Sequence, residues 1–192
     1  MTIIDYAVII LGDAKVGKTC IIRRFIKGTF TDQYIATVED VYTQRISDNK
    51  KLCVMKIYDT AGSYQFPAMR SLSIKKADAI ILVYSIDSLE SLKTCERLHD
   101  EIKEIKSTQI SQTPILLVGN KSDITEAEIK VKSIDAEILA RRMRVGFIQT
   151  SAKKNRNVDE MFQKLLRMDV KHRLSININK HVNSRSFPCI IS

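Results

Sequence analysis

Six short apolar runs punctuate the chain. Between most of them, apolar residues recur at three- and four-residue spacing. The runs Tyr6–Leu11, Val41–Ile46, Leu52–Tyr58, Ala79–Tyr84, Ile115–Val118 and Gly146–Gln149 have strand lengths. The helical spacing covers Lys18–Lys27, Ala68–Lys76, Ser88–Lys106, Asp135–Arg144 and Asn157–Arg167. In the third of these, Leu89, Leu92, Cys95, Leu98, Ile102 and Ile105 share one face. Ser47-Asp48-Asn49-Lys50 reads as a hairpin turn between the second and third strands. Alternation of this kind predicts an α/β fold: a six-stranded, mostly parallel sheet with helices on both faces and one antiparallel edge strand. The pattern assigns no element to Ile124–Ser133.

The first strand runs into Gly12-Asp13-Ala14-Lys15-Val16-Gly17-Lys18-Thr19, which matches G-x-x-x-x-G-K-T. Such a loop points backbone N–H groups at phosphate oxygens, and the next helix, opening at Lys18, Thr19 and Cys20, adds its positive dipole end. Lys18 is expected to reach the β- and γ-phosphates, and the Thr19 hydroxyl to ligate Mg²⁺. The fifth strand runs into Asn120-Lys121-Ser122-Asp123. A carboxylate there can accept paired hydrogen bonds from N1–H and the 2-amino group of guanine, a pair adenine lacks. The Asn can hold the base edge and the Lys stem can lie along the ring. Thr150-Ser151-Ala152-Lys153 follows the last strand and offers a backbone amide for guanine O6. All these loops follow strand C-termini, where ligands bind in such sheets.

These motifs together resemble a Ras-superfamily small GTPase of the Ras branch. Tyr34-Ile35-Ala36-Thr37-Val38-Glu39-Asp40-Val41-Tyr42 resembles that family's first switch and effector region, and Asp59-Thr60-Ala61-Gly62 the start of its second switch. The stretch from Ser63 to Ile74 is most similar to the Di-Ras and atypical Ras groups. The resemblance implies a P-loop NTPase (Ras-like) fold binding GTP or GDP with Mg²⁺. It implies Mg²⁺ oxygens from Thr19 and Thr37, with Asp59 acting through water. Gly62 would donate its N–H to the γ-phosphate, and Phe30 would pack on the guanine plane. Asn120, Lys121, Asp123, Ser151, Ala152 and Lys153 would form the base site. Effectors would read the switches, exchange factors and GTPase activators would act on the cycle, and the protein would work as a monomer. Loss of the γ-phosphate would release both loops.

Two positions depart from the family pattern. Ser63 stands where Ras proteins usually carry the Gln that orients the attacking water. Ala14 and Lys15 stand where two glycines are usual. The Ala14 methyl would crowd an incoming arginine finger. Weak hydrolysis and poor response to ordinary Ras activators are therefore expected. The alternative is a GTP-bound interaction module that titrates effectors or exchange factors. A small-molecule kinase of the P-loop class lacks support, because the sequence shows no Arg-rich lid and Asn120-Lys121-Ser122-Asp123 selects guanine.

Composition refines the picture at the ends. The 192 residues are 44% hydrophobic, enough for one full core, with a G domain expected over 1–170 and a tail over 171–192. The tail carries four of the nine net positive charges, on Lys171, Arg173, Lys180 and Arg185, and no acid. With no nucleic-acid motif and no interleaved aromatics, that charge suits an anionic membrane surface. The last four residues, Cys189-Ile190-Ile191-Ser192, fit C-a-a-X prenylation at Cys189. One prenyl chain anchors weakly, so residence on the cytoplasmic face of a membrane, with a soluble cytosolic fraction, is expected. No secretory leader is expected, and four scattered cysteines suit a reducing compartment.

Overall fold

A computed structural model of the chain describes residues 2–33, 37, 39–47, 51–62 and 67–169. The strands are β1 (Thr2–Gly12), β2 (Glu39–Ser47), β3 (Lys51–Thr60), β4 (Ala79–Ser85), β5 (Ile115–Asn120) and β6 (Gly146–Gln149). The helices are α1 (Lys18–Lys27), α2 (Pro67–Lys76), α3 (Leu89–Lys106), α4 (Ser133–Met143) and α5 (Val158–Met168). The six strands form one sheet in the order β2-β3-β1-β4-β5-β6. Only β2 runs antiparallel, pairing from Glu39↔Thr60 to Ser47↔Leu52. The expected fold class therefore holds.

Side-chain alternation in β1 divides the core. Val8 and Ile10 face α1 and α5, joining Ile21, Ile22, Phe162 and Leu166. Ile9 and Leu11 face the other side, with Ile74 of α2, Leu98 of α3 and Leu139 of α4. Burial on both faces explains why β4 and β5 read as unbroken apolar runs, since every residue in them is buried. The Phe25 and Phe162 rings stack with centroids 3.9 Å apart, which ties α1 to α5. Gly28 ends α1 in the left-handed conformation, its N–H bonded to Arg24 O at 3.0 Å.

Differences from the sequence expectation lie at boundaries. β1 starts at Thr2 rather than Tyr6, because its first residues pair with β3 from Thr2↔Lys51 onward. α4 starts at Ser133, and 3₁₀ turns occupy Ser107–Gln112 and Glu126–Glu128. The second turn orders part of the unassigned stretch. There Glu128 Oε2 accepts from Thr125 N at 3.0 Å and Thr125 Oγ1 at 2.6 Å. Beyond it, Lys130 N and Val131 N both donate to Ile86 O, at 2.9 and 3.0 Å. The hairpin turn at 48–50 and the tail with Cys189 lie outside the described residues.

Candidate nucleotide site

The C-terminal ends of β1, β3, β5 and β6 open onto one cleft of about 400 Å³. Its floor is the loop from Gly12 to Gly17. Lys18, in the first turn of α1, folds back over that loop. Its Nζ donates to Gly12 O at 3.0 Å and to Asp13 O at 2.9 Å. Burial lowers the ammonium to about 8, against the pull of the Asp59 and Asp13 charges. An anion in the cleft would favour the charged ammonium further. Asp13 Oδ1 accepts from Ala14 N at 2.7 Å. Ala14 and Lys15 are exposed on the loop crest and line the cleft, with Lys15 in a left-handed conformation at φ 63°. Val16 is buried beneath them.

A cluster of oxygens forms the second part. Thr19 Oγ1 lies 2.9 Å from Thr37 Oγ1 and donates to Asp59 Oδ2 at 2.6 Å. Asp59 is fully buried at the end of β3, and its Oδ1 has no hydrogen-bond partner among the described residues. Burial pushes its carboxyl above the usual carboxylate range, while the Thr19 hydroxyl and Lys18 hold it down. Two hydroxyls beside a carboxylate with a spare buried oxygen are a hard-oxygen donor set that fits Mg²⁺. Next to it Gly62 packs on the phosphate loop. A Cβ at Gly62 would lie 2.4 Å from Ala14 Cα and 2.5 Å from Ala14 N, so the two backbones touch.

The third part comes from β5 and β6. Asp123 accepts a short hydrogen bond from Ser151 Oγ, which fixes the carboxylate's orientation. Ser151 Oγ also accepts from Lys154 N at 2.9 Å, closing the turn after β6. Lys121 sits in the left-handed region at φ 67°, and its Nζ pairs with Asp87 Oδ2 at 3.1 Å. Asn120 is almost fully buried, and its side chain bonds protein at both ends. Nδ2 donates to Val16 O at 2.9 Å, while Oδ1 accepts from Thr150 Oγ1 at 3.2 Å and Ala152 N at 3.3 Å. A bracing role is thus added to the base-edge role expected of it. Lys153 and Phe30 line the same cleft, with Lys153 Nζ 3.5 Å from Asp32 Oδ2. Cys20 is half-buried there, its thiol pushed up by burial, and makes a long contact to Thr31 O at 3.9 Å.

Of the expected effector segment, Asp40 and Val41 are exposed on β2, where Asp40 pairs with Asp59 and Val41 with Tyr58. Tyr42 is half-buried beside them. Tyr34, Ile35, Ala36, Val38 and Ser63 lie outside the described residues. Sequence reasoning missed Arg24 and Asp87 as supports, and the bond from the Thr150 hydroxyl to Asn120, because each contact crosses a long sequence separation.

A protein-family model described as the Ras family matches residues 7–171. That span runs from within β1 to beyond the end of α5 and includes every residue described above as lining the cleft. The chain belongs to the Ras family. Members of this family are GTPases. Among curated Ras-family relatives, the chain is 47% identical to GTP-binding protein Di-Ras2 of Macaca fascicularis over 175 residues, covering 91% of this chain and 87% of that protein. It is 45% identical to GTP-binding protein drn-1 of Caenorhabditis elegans, covering 91% and 80%. It is 44% identical to human GTP-binding protein Di-Ras1, covering 91% and 87%.

Proposed function

We propose that this Ras-family chain is a guanine-nucleotide switch with slow intrinsic hydrolysis and a poor response to ordinary Ras activators. The observation that carries the nucleotide assignment is the single cleft lined by Lys18, Thr19, Thr37 and the Ser151-held Asp123, with the Asp59 carboxylate buried behind the Thr19 hydroxyl. Relatives that cover most of the chain bear names that state GTP binding, which supports the same reading.

In this reading the loop amides and Lys18 bind the β- and γ-phosphates. Thr19, Thr37 and Asp59 would hold Mg²⁺, which when bound supplies charge neutralisation on the phosphate oxygens. Thr37 and Gly62 sense the γ-phosphate, one by its hydroxyl and the other by its N–H. Asp123 reads N1–H and the 2-amino group of guanine, and the Ala152 amide meets O6. Slow intrinsic turnover rests on Ser63, whose hydroxyl falls short of where a Gln amide would hold water, and the poor response to activators rests on Ala14, whose methyl would crowd the arginine-finger approach.

The surface reading follows from the same residues. Glu39 and Asp40 give the effector strand an acidic character, which favours basic partner faces and fast encounter. The Cys189 box and the basic tail support prenylation and residence on the cytoplasmic face of a membrane. Ser63 and Ala14 favour one second reading, a GTP-bound module that titrates effectors or exchange factors. Nucleotide extracted from purified full-length protein tests both. A cycling enzyme carries mostly GDP, the titrating module mostly GTP, and a preparation binding neither would overturn the guanine assignment.

A further inference from the structure

Arg24 lies in the last turn of α1, and no motif includes it. Its guanidinium reaches three backbone carbonyls on two separate loops. Nε donates to Ala152 O at 2.8 Å and Nη2 to Lys153 O at 3.1 Å. Nη1 donates to Gly28 O at 2.6 Å, on the turn that leads into the first switch. The same cation sits 5.9 Å from the Phe30 ring centroid. One planar fork therefore joins the turn that precedes the switch to the loop after β6. Its own anchor is firm: neighbouring Phe25 stacks on Phe162 of α5, and Arg24 O accepts the Gly28 N–H that caps the helix.

We propose that Arg24 is a positioning residue that sets the guanine O6 contact and the rate of nucleotide release. The inference rests on the guanine reading above. The Ala152 peptide is the link. Its N–H is the group assigned to O6, and it stands 3.3 Å from Asn120 Oδ1. The Ala152 carbonyl is held by Arg24, so the plane of this turn is fixed from one side by α1 and from the other by Asn120. A charged donor to a carbonyl is a strong restraint. Without it, the Ala152 amide and Phe30 are both freed, one at the base edge and the other at the base plane. Lysine cannot replace the function, because an ammonium lacks the fork that spans three acceptors.

The test uses the full chain with Arg24→Ala and Arg24→Lys, each checked for folding by thermal melting. GDP release is measured alongside affinity for GDP and for 6-thio-GDP. The thio nucleotide keeps N1–H and the 2-amino group and alters only the O6 acceptor. Arg24→Ala removes all three hydrogen bonds and is expected to release GDP on the order of ten-fold faster, the effect attributed to the one that holds the Ala152 carbonyl. Its preference for GDP over 6-thio-GDP should shrink. Arg24→Lys retains helix propensity and charge, so it provides a folded variant, and it should change both readouts in the same direction. Wild-type release rates in either folded variant would overturn the proposal. So would an equal loss of affinity for both nucleotides, which marks a purely structural role. A wild-type chain that binds neither nucleotide would overturn the guanine reading and this inference together.

Discussion

The Asn120 side chain donates to Val16 O at 2.9 Å across 104 residues, fastening the base-reading turn to the phosphate loop. A Cβ on Gly17 would lie 2.3 Å from the same Nδ2, so the loop conformation and the Asn rotamer require each other. Asn120→Ala leaves Val16 O, Thr150 Oγ1 and Ala152 N without this partner in a buried place. Each such loss costs about 1–3 kcal/mol. The expected result is a melting temperature lower by several degrees and GDP binding weaker by more than about ten-fold, read by thermal melts and calorimetry. A variant that melts and binds like wild type would show that the brace is idle.

Gly62 and Ala14 are in backbone contact, and a methyl at Gly62 has no flexible atom to displace. Gly62→Ala should push the second-switch strand end off the phosphate loop. Binding of a non-hydrolysable GTP analogue is expected to weaken about ten-fold relative to GDP, equivalent to about 1.4 kcal/mol. An unchanged ratio of the two affinities would argue against Gly62 as the γ-phosphate sensor.

Single-turnover GTP hydrolysis isolates the role of Ser63. Ser63→Gln supplies the longer amide and is expected to raise the rate at least about ten-fold, a gain of about 1.4 kcal/mol in transition-state stabilisation. A wild-type rate equal to that of ordinary Ras proteins would remove the argument.

His99 gives the fold an acid sensitivity away from the cleft. Burial and the nearby Lys103 ammonium push its imidazole below the usual range, with Asp100 pulling weakly the other way. The native state thus takes up a proton less readily than the unfolded chain. Stability contributed by neutral His99 is present above the ordinary imidazole range and is lost as pH falls through it. Thermal melts from pH 7.5 down to about 5.5 should show this decline, and His99→Gln should flatten it. Parallel pH profiles for the two proteins would contradict the assignment.

Cys189→Ser should shift the protein from the membrane to the soluble fraction on cell fractionation. Retention on membranes would remove prenylation as the anchor.

Much of the architecture was legible because burial on both faces writes itself into composition. Ile80–Val83 and Ile115–Val118 are continuous apolar runs, and α3 shows its core face at helical spacing. The site was legible where chemistry is local in sequence, as in Lys18–Thr19 or Asn120–Asp123. The Thr125–Glu128 turn carried a readable T-x-x-E signature. Arg24 carried none. It meets Ala152 only because α1 packs against α5 and brings residues 128 positions apart within 2.8 Å. The bracing by Asn120 was hidden for the same reason.

Central placement of β1 bears on how the cycle is driven. Hydrogen-bonded on both sides, by β3 and β4, this strand belongs to the part of a protein that opens only on global unfolding. The cleft's floor is thereby hung from the best-anchored strand of the sheet. A catalyst of release would find its leverage at the rim, in the segments carrying Phe30, Thr37 and Gly62. Regulation is confined by this layout to a perimeter that can diverge while the scaffold stays unchanged.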